Sequence, residues 1–138
     1  MQILSKLFSQ FPLKIISGTL SDVTTNKITA DSRKVQQGDL FVAMAGEYFD
    51  GHKYISNAIE QGAVAIVGEQ ELENLPIPYI RVENARQALA HLAAAYYDHP
   101  ARKLIMLGVT GTDGKTTTSN FLYQILREAN LKVGMIST

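Results

Sequence analysis

The sequence contains no cysteine, and its charges leave no excess of either sign, with 13 basic and 13 acidic residues among 138. Without cysteine there is no disulfide framework, no thiolate metal ligand and no cysteine nucleophile. Because the charges balance, bulk electrostatics give no reason to expect nucleic acid or an acidic membrane surface as a partner. No stretch approaches the ~18 apolar residues of a membrane span. We therefore expect no nucleic acid, no membrane and a cytoplasmic location.

The residues that are present are typical of a folded globular protein. Hydrophobic residues make up 46% of the chain and charged residues 19%, a balance that excludes disorder. The length fits one ordinary domain, or one domain together with part of the next. Near the N-terminus, Leu4, Leu7, Phe8 and Phe11 recur at helical spacing, which predicts a packed amphipathic helix and not a signal peptide.

Short apolar runs alternate with amphipathic segments over the first hundred residues. Gly62 is predicted to end one helix as a C-cap residue, and Asn84 to cap the next, with Gln87 able to reach back. Because strands alternate with helices, the chain is predicted to have an α/β layered fold with at least some parallel pairing. The predicted strands are 14–19, 27–30, 40–46, 63–68 and 79–82, and the helix between the third and fourth is 54–61.

A domain boundary is predicted in the segment DHPAR at 98–102, where Pro100 stops the second helix. The first domain is then 1–98 and the second 99–138. Beyond the boundary, the pattern predicts a strand over 103–109, a loop, a helix over 116–130 and another strand over 132–138. Such a βαβ unit cannot by itself bury both faces of its sheet. We expect it to be the start of a truncated domain and to be marginal alone.

The segment GVTGTDGKTTT at 108–118 has the strand, glycine-rich turn and helix start that a P-loop requires. Backbone N–H groups of such a turn bind phosphate, Lys115 is placed to reach the outer phosphates, and the Thr116 hydroxyl to help hold Mg²⁺. The first position of the general motif is Val109 instead of glycine, so an ordinary strand-to-helix turn is the alternative. Asp113 would repel phosphate if it pointed inward, and would be tolerated if it pointed outward.

The loop G-T-x-G-K-T-T-T resembles the ATP loop of the Mur ligases, which build the peptide stem of peptidoglycan and also carry a non-glycine residue at the first position. Three upstream blocks, at 31–43, 46–55 and 58–67, resemble the UDP-binding N-terminal domain of the same family. The resemblance covers nearly the whole chain. It implies a Mur-ligase-type UDP-binding α/β domain followed by the first βαβ of a P-loop ATPase domain.

Within the family the loop is most similar to that of the tripeptide synthetases (MurE), whereas the upstream blocks also suit the enzymes that add D-alanyl-D-alanine (MurF). The resemblance implies ATP-driven addition of an amino acid to UDP-MurNAc-L-Ala-D-Glu through an acyl phosphate, with ATP and Mg²⁺ required and a monomer expected. It implies an ATP site at Gly111, Thr112, Asp113, Gly114, Lys115, Thr116 and Thr117, with Lys115 catalytic and Thr116 on the metal. It implies contacts to the UDP-linked substrate from Ala30, Ser32, Glu47, Tyr48 and Phe49.

Several of these residues also have simpler interpretations. Ser32 is alternatively a turn hydroxyl, Arg33 pairs either with a phosphate or with its own loop, and Asp50 and Gly51 are expected to shape a turn. The three histidines, His52, His91 and His99, lack metal-ligand spacing and are predicted to be surface or capping residues. Three other functions stay open: a MurF-type ligase, a non-catalytic module that binds a UDP-linked ligand, and an unrelated P-loop NTPase. No turnover is expected from these 138 residues alone.

Overall fold

The computed structural model describes residues 1–9, 14–17, 22–46 and 49–136. The chain divides into two compact units, Met1–Lys103 and Leu104–Thr138, so the division lies within a few residues of the proline-containing segment singled out in the sequence. In chain order the elements are β1 (Gln2–Ile3), α1 (Leu4–Phe8), β2 (Ile15–Ser17), β3 (Thr24–Thr25), β4 (Ile28–Thr29), β5 (Leu40–Val42), α2 (Ile55–Glu60), β6 (Ala65–Gly68), β7 (Tyr79–Val82), α3 (Ala85–Tyr96) and α4 (Lys115–Glu128).

The first unit is built on a five-stranded mixed sheet with the order β2-β7-β6-β5-β4. Strands β4 to β7 run parallel, and β2 pairs antiparallel with β7 at one edge. A separate pair, β1 and β3, is antiparallel. The parallel strands follow each other in sequence and in space, as short crossover connections require. The predicted α/β class is therefore confirmed.

Alternation along the central strands sends side chains to two separate cores. Leu40 and Val42 of β5 belong to a cluster with α1 and α3, whereas Phe41 and Ala43 belong to a cluster with α2. All four are fully buried, because β5 and β6 lie in the middle of the sheet with helices on both faces. This placement explains why these strands are apolar without alternation in the sequence.

The helix boundaries follow the capping residues that the sequence contains. The Asn84 side chain accepts a hydrogen bond from the Gln87 N–H at 2.9 Å and begins α3, as predicted. Gly62 takes the left-handed conformation, with φ of 99°, directly after Gln61, the C-cap residue of α2, so it ends the helix as predicted. The predicted N-terminal helix is shorter than expected, since α1 ends at Phe8, and Phe11 lies outside the described residues.

The described residues of the second unit contain one helix, α4. The prediction of a strand on each side of this helix is wrong for these residues. Residues 104–109 and 131–136 have no strand pairing, and the apolar side chains of the first segment are exposed, with Ile105 at 93%. A strand is stable only when neighbouring strands satisfy its backbone and bury its faces. No such partner lies among the described residues, so the apolar pattern alone does not produce a sheet.

Candidate functional site

The first unit has an open depression of about 480 Å³ lined by Ala30, Asp31, Ser32, Arg33, Phe49 and Tyr54. The first four follow directly after β4, and the two aromatic residues come from the segment after the neighbouring parallel strand β5. Ligands of open parallel sheets bind at this place, outside the carboxyl ends of the strands. The fold therefore brings together three residues predicted from the sequence, namely Ala30, Ser32 and Phe49.

Ser32 begins a single 3₁₀ turn, Ser32–Lys34, and its side chain is buried although the turn lies at the surface. The turn forms because the Asp31 carboxylate accepts the Arg33 N–H at 3.1 Å. Within the described part of the chain, no group hydrogen-bonds the Ser32 hydroxyl. A hydroxyl that lines a depression and has no partner among the described residues is suited to bond a ligand, since an unpaired buried polar group costs free energy.

Arg33 contacts its own loop. Its Nε lies 2.9 Å from Asp31 Oδ1 and its Nη2 lies 3.0 Å from Asp31 Oδ2, although the Arg33 side chain is 86% exposed. The hydrogen bonds from Arg33 lower the pKa of Asp31 from 3.8 to about 2, and the same pairing raises the pKa of Arg33. Arg33 was predicted to pair either with a phosphate or with its own loop, and in this structure it pairs with its own loop.

Phe49 and Tyr54 form a stacked pair at the rim of the depression. Their ring centroids are 5.0 Å apart with an angle of 14° between the ring planes, and both side chains are exposed, at 54% and 40%. Exposed parallel rings offer an apolar face to a flat ligand group. Tyr54 was not among the predicted site residues, because its position before an apolar helix indicated only a helix start. Glu47 and Tyr48, which were predicted, lie outside the described residues.

His52 is buried, so of the two predicted roles, surface or capping, the surface one is wrong. Its Nδ1 lies 2.7 Å from Asp50 Oδ1, and its Nε2 accepts the Glu69 N–H at 3.0 Å. Asp50 and Gly51 shape the turn as predicted: the Asp50 carboxylate accepts the His52 N–H, and the Gly51 N–H donates to the Met44 carbonyl at 2.8 Å. No sequence signal separated His52 from the other histidines, since its partner Glu69 is 17 residues away.

In the second unit, the glycine-rich turn leads directly into α4. Gly111 and Gly114 have φ of 149° and 74°, conformations that favour glycine, and Gly114 is the N-cap residue. Among the residues that the structure describes, no side chain caps the first turn of α4, so its N–H groups are available at the positive end of the helix dipole. The Lys115 ammonium donates to the carbonyls of Gly111, at 2.6 Å, and Thr112, at 3.1 Å.

The seven predicted nucleotide-site residues are therefore contiguous around one helix N-terminus, and their side chains are solvent-exposed. No group of three or more carboxylates and histidines able to hold a metal occurs among the residues that the structure describes. No helix in those ranges is long and apolar enough to cross a membrane. A depression at the carboxyl edge of a sheet and a glycine-rich turn that opens a helix are both features that occur in nucleotide-binding α/β proteins.

Comparison with known proteins identifies the family. The model of the Mur ligase family, catalytic domain, matches residues 24–97. A UDP-N-acetylmuramoyl-L-alanyl-D-glutamate–2,6-diaminopimelate ligase of Listeria monocytogenes is 41% identical over 136 residues, which are 98% of this chain and 27% of that protein. A UDP-N-acetylmuramyl-tripeptide synthetase of Deinococcus radiodurans is 47% identical over 120 residues, covering 86% and 24%. The chain belongs to the Mur ligase family, as its motifs predicted.

Solved structures of the family have the same fold. MurF from Acinetobacter baumannii matches with a TM-score of 0.68 and 28% identity, over 91% of this chain and 27% of that one. The MurF ligase of Thermotoga maritima in complex with ADP matches with a TM-score of 0.57 and 36% identity, over 78% and 25%. The chain thus spans about a quarter of the length of the relatives that it matches.

Proposed function

We propose that this chain supplies the UDP-substrate domain and the phosphate-binding loop of a MurE-type ligase, which adds an amino acid to UDP-MurNAc-L-Ala-D-Glu at the expense of ATP. The observation that carries the proposal is the convergence of Ala30, Ser32 and Phe49 on one depression at the carboxyl edge of the sheet. Ser32 and Phe49 come from two separate sequence blocks, 31–43 and 46–55, each of which resembles the UDP-binding domain of the family, and Ala30 directly precedes the first block. The cytoplasm suits this reaction and a chain without cysteine.

In the first unit, the Ser32 hydroxyl is proposed to hydrogen-bond the UDP part of the substrate, with Ala30 beside it. Phe49 presents its exposed face, stacked on Tyr54, to an apolar or planar group of the ligand. Glu47 and Tyr48 complete the proposed contacts by resemblance to the family. Arg33 is held by Asp31, so we assign it no phosphate contact.

In the second unit, residues 111–117 are proposed to bind ATP. The backbone N–H groups at the start of α4 have no side-chain cap, which suits phosphate oxygens. Lys115 is placed to exchange its loop carbonyls for the outer phosphates and to neutralise charge as it develops. Mg²⁺, when bound, would supply further charge neutralisation, and the Thr116 hydroxyl, in the first turn of α4, is the group that we propose to hold it.

The reaction proposed for the whole ligase has two steps. The substrate carboxylate attacks the γ-phosphate of ATP and releases ADP, and the amine of the amino acid then displaces phosphate from the acyl phosphate. For the 138 residues alone, we propose binding without turnover. Residues 104–107 have no strand pairing, and their apolar side chains are exposed. This favours the description of the 138 residues as a non-catalytic binding module.

The choice of MurE over MurF is supported by sequence. Curated relatives with MurE-type names are 41% and 47% identical to this chain. The loop G-T-D-G-K-T-T-T also resembles the MurE pattern. MurF remains the second candidate because its N-terminal domain has the same fold.

Calorimetric titration with UDP-MurNAc-L-Ala-D-Glu and, separately, with ATP·Mg tests the proposal. We expect both to bind, and Ser32→Ala to weaken the first about five- to tenfold, the worth of one hydrogen bond, while leaving the second unchanged. The matched control is Ser56→Ala, since Ser56 is an exposed serine on α2, and its affinity for both ligands should equal that of the wild type. Binding of ATP·Mg without the UDP ligand would contradict the substrate-binding role proposed for the depression.

A further inference from the structure

His52 connects the aromatic rim of the depression to the middle of the sheet. Its side chain is only 3% exposed, although it belongs to a surface segment. The ring bridges two places in the sequence, with Nδ1 at 2.7 Å from Asp50 Oδ1 and Nε2 at 3.0 Å from the Glu69 nitrogen. Because the Glu69 N–H is a donor, Nε2 must accept and therefore carries no proton, so the neutral ring donates from Nδ1.

The position of the His52 ring is fixed by hydrogen bonds and by close packing. Asp50 accepts the His52 backbone N–H at 3.0 Å and the Gln70 amide at 3.1 Å. These hydrogen bonds, above all the one from the His52 backbone, lower the pKa of Asp50. Asp50 therefore stays an ionised acceptor. Gly68 provides the space, since a Cβ there would lie 2.9 Å from His52 Nε2. The ring is therefore fixed from its own turn and from the residue that follows β6.

His52 does not line the depression, whereas Phe49 and Tyr54 do. It lies between them in sequence, three residues after the first and two before the second. The two rings project from a segment whose only buried side chain between them is that of His52. Any effect of His52 on a ligand in the depression must consequently act through the placement of these two rings.

We propose that His52 is a positioning residue, which holds the stacked Phe49–Tyr54 pair in its binding orientation by joining Asp50 to the Glu69 N–H. The proposal rests on the proposed function, since it assumes that the depression takes the UDP-linked substrate. After the loss of both hydrogen bonds, the segment 49–54 is held less firmly to the residues after β6, through the Gln70 amide on Asp50 at 3.1 Å. Its rings then sample several orientations, and part of the binding free energy is used to order them.

Two variants of the 138-residue chain separate the contributions. His52→Ala removes both contacts, whereas the oxygen of the side chain in His52→Gln can still accept the Glu69 N–H. We expect His52→Ala to weaken binding of UDP-MurNAc-L-Ala-D-Glu at least tenfold by calorimetry, and His52→Gln to remain within about threefold of the wild type. Binding of ATP·Mg should be the same in all three proteins.

Nuclear Overhauser effects between the Phe49 and Tyr54 rings report their relative orientation directly, and a general loss of stability does not change them. In protein with labelled aromatic rings, the contacts should be present in the wild type and in His52→Gln and absent in His52→Ala, while the methyl spectrum of the core stays unchanged. If the ring contacts and the affinity persist in His52→Ala, the proposal is wrong. If His52→Ala does not fold, His52→Gln decides the question. Its side-chain oxygen can still accept the Glu69 N–H, so loss of the ring contacts and of ligand binding in this variant would overturn the role assigned to that hydrogen bond.

The two proposals fail in different ways. If the wild type does not bind the UDP ligand, the proposed function fails, but the ring contacts still decide whether His52 positions Phe49 and Tyr54. If the wild type binds and the ring contacts do not depend on residue 52, only the positioning role is lost.

Discussion

The Asp31 carboxylate holds the Arg33 guanidinium with two parallel hydrogen bonds, Nε to Oδ1 at 2.9 Å and Nη2 to Oδ2 at 3.0 Å. The same carboxylate accepts the Arg33 backbone N–H at 3.1 Å, which fixes the turn that carries Ser32. The pairing holds the pKa of Asp31 at about 2, below its ordinary value of 3.8. A carboxyl group with a lowered pKa stabilises the fold above its ordinary pKa, and this contribution is lost as the pH falls through the lowered value.

Asp31→Asn should therefore lower the melting temperature slightly at pH 4 to 7, because the ion pair is solvent-exposed and weak. The difference from the wild type should disappear as the pH falls from about 4 to about 2. Thermal unfolding of both proteins, followed by circular dichroism over this range, measures it. A difference that stays constant down to pH 2 would show that the charge of Asp31 does not contribute.

Gly68→Ala should destabilise the first unit by about 2 kcal/mol, within the range for overpacked cores. A Cβ at this position would lie 2.6 Å from Tyr79 Oη as well as 2.9 Å from His52 Nε2, and both neighbours are held by hydrogen bonds. Chemical denaturation gives the free energy of unfolding. Gly134→Ala is the control, since nothing lies within 4 Å of its added Cβ, and equal stability of the two variants contradicts the prediction.

Leu92→Ala should lower the free energy of unfolding by about 2–5 kcal/mol, the range for truncated core leucines. Leu92 is fully buried on α3, in the cluster that includes strands β5, β6 and β7. The same substitution at Leu104, which is exposed, should change the stability by less than about 0.5 kcal/mol. Urea titrations of both variants make the comparison, and a Leu104→Ala loss as large as that of Leu92→Ala would refute it.

Asp113→Asn should strengthen the binding of ATP·Mg. Asp113 lies in the turn just before the N-terminus of α4, where a negative charge opposes phosphate. Removing a charge about 4 Å from another in bulk water is worth about 1 kcal/mol, or about fivefold in affinity. The control is Glu128→Gln at the far end of the same helix, which should have no effect. Weaker nucleotide binding in Asp113→Asn would mean that Asp113 contributes a hydrogen bond to the loop.

Much of the first unit could be predicted from local signals. The strand 79–82 agrees with β7 at both ends, and the Asn84 cap was predicted because a cap depends on residues three positions apart. The two predicted strands of the second unit were wrong for the opposite reason. An apolar run becomes a strand only when distant segments pair with it, and the sequence pattern does not contain that information.

The candidate site divides in the same way. Ser32 and Phe49 were predicted because their blocks resemble a known family, and the structure adds that they share one depression. Tyr54 and His52 were missed. Their roles depend on a ring five residues away and on a backbone N–H seventeen residues away, and only the folded chain brings these groups together.

The sequence by itself determined the family, the α/β class, the helix caps and the glycine-rich turn before α4, because each depends on residue types at short, fixed spacings. Only the tertiary structure decided that Arg33 pairs with Asp31, that Tyr54 stacks on Phe49 and that His52 is buried. The packing of parallel strands brings their carboxyl ends to one edge, where segments far apart in the sequence meet. Which side chains touch at that edge is a property of the assembled sheet.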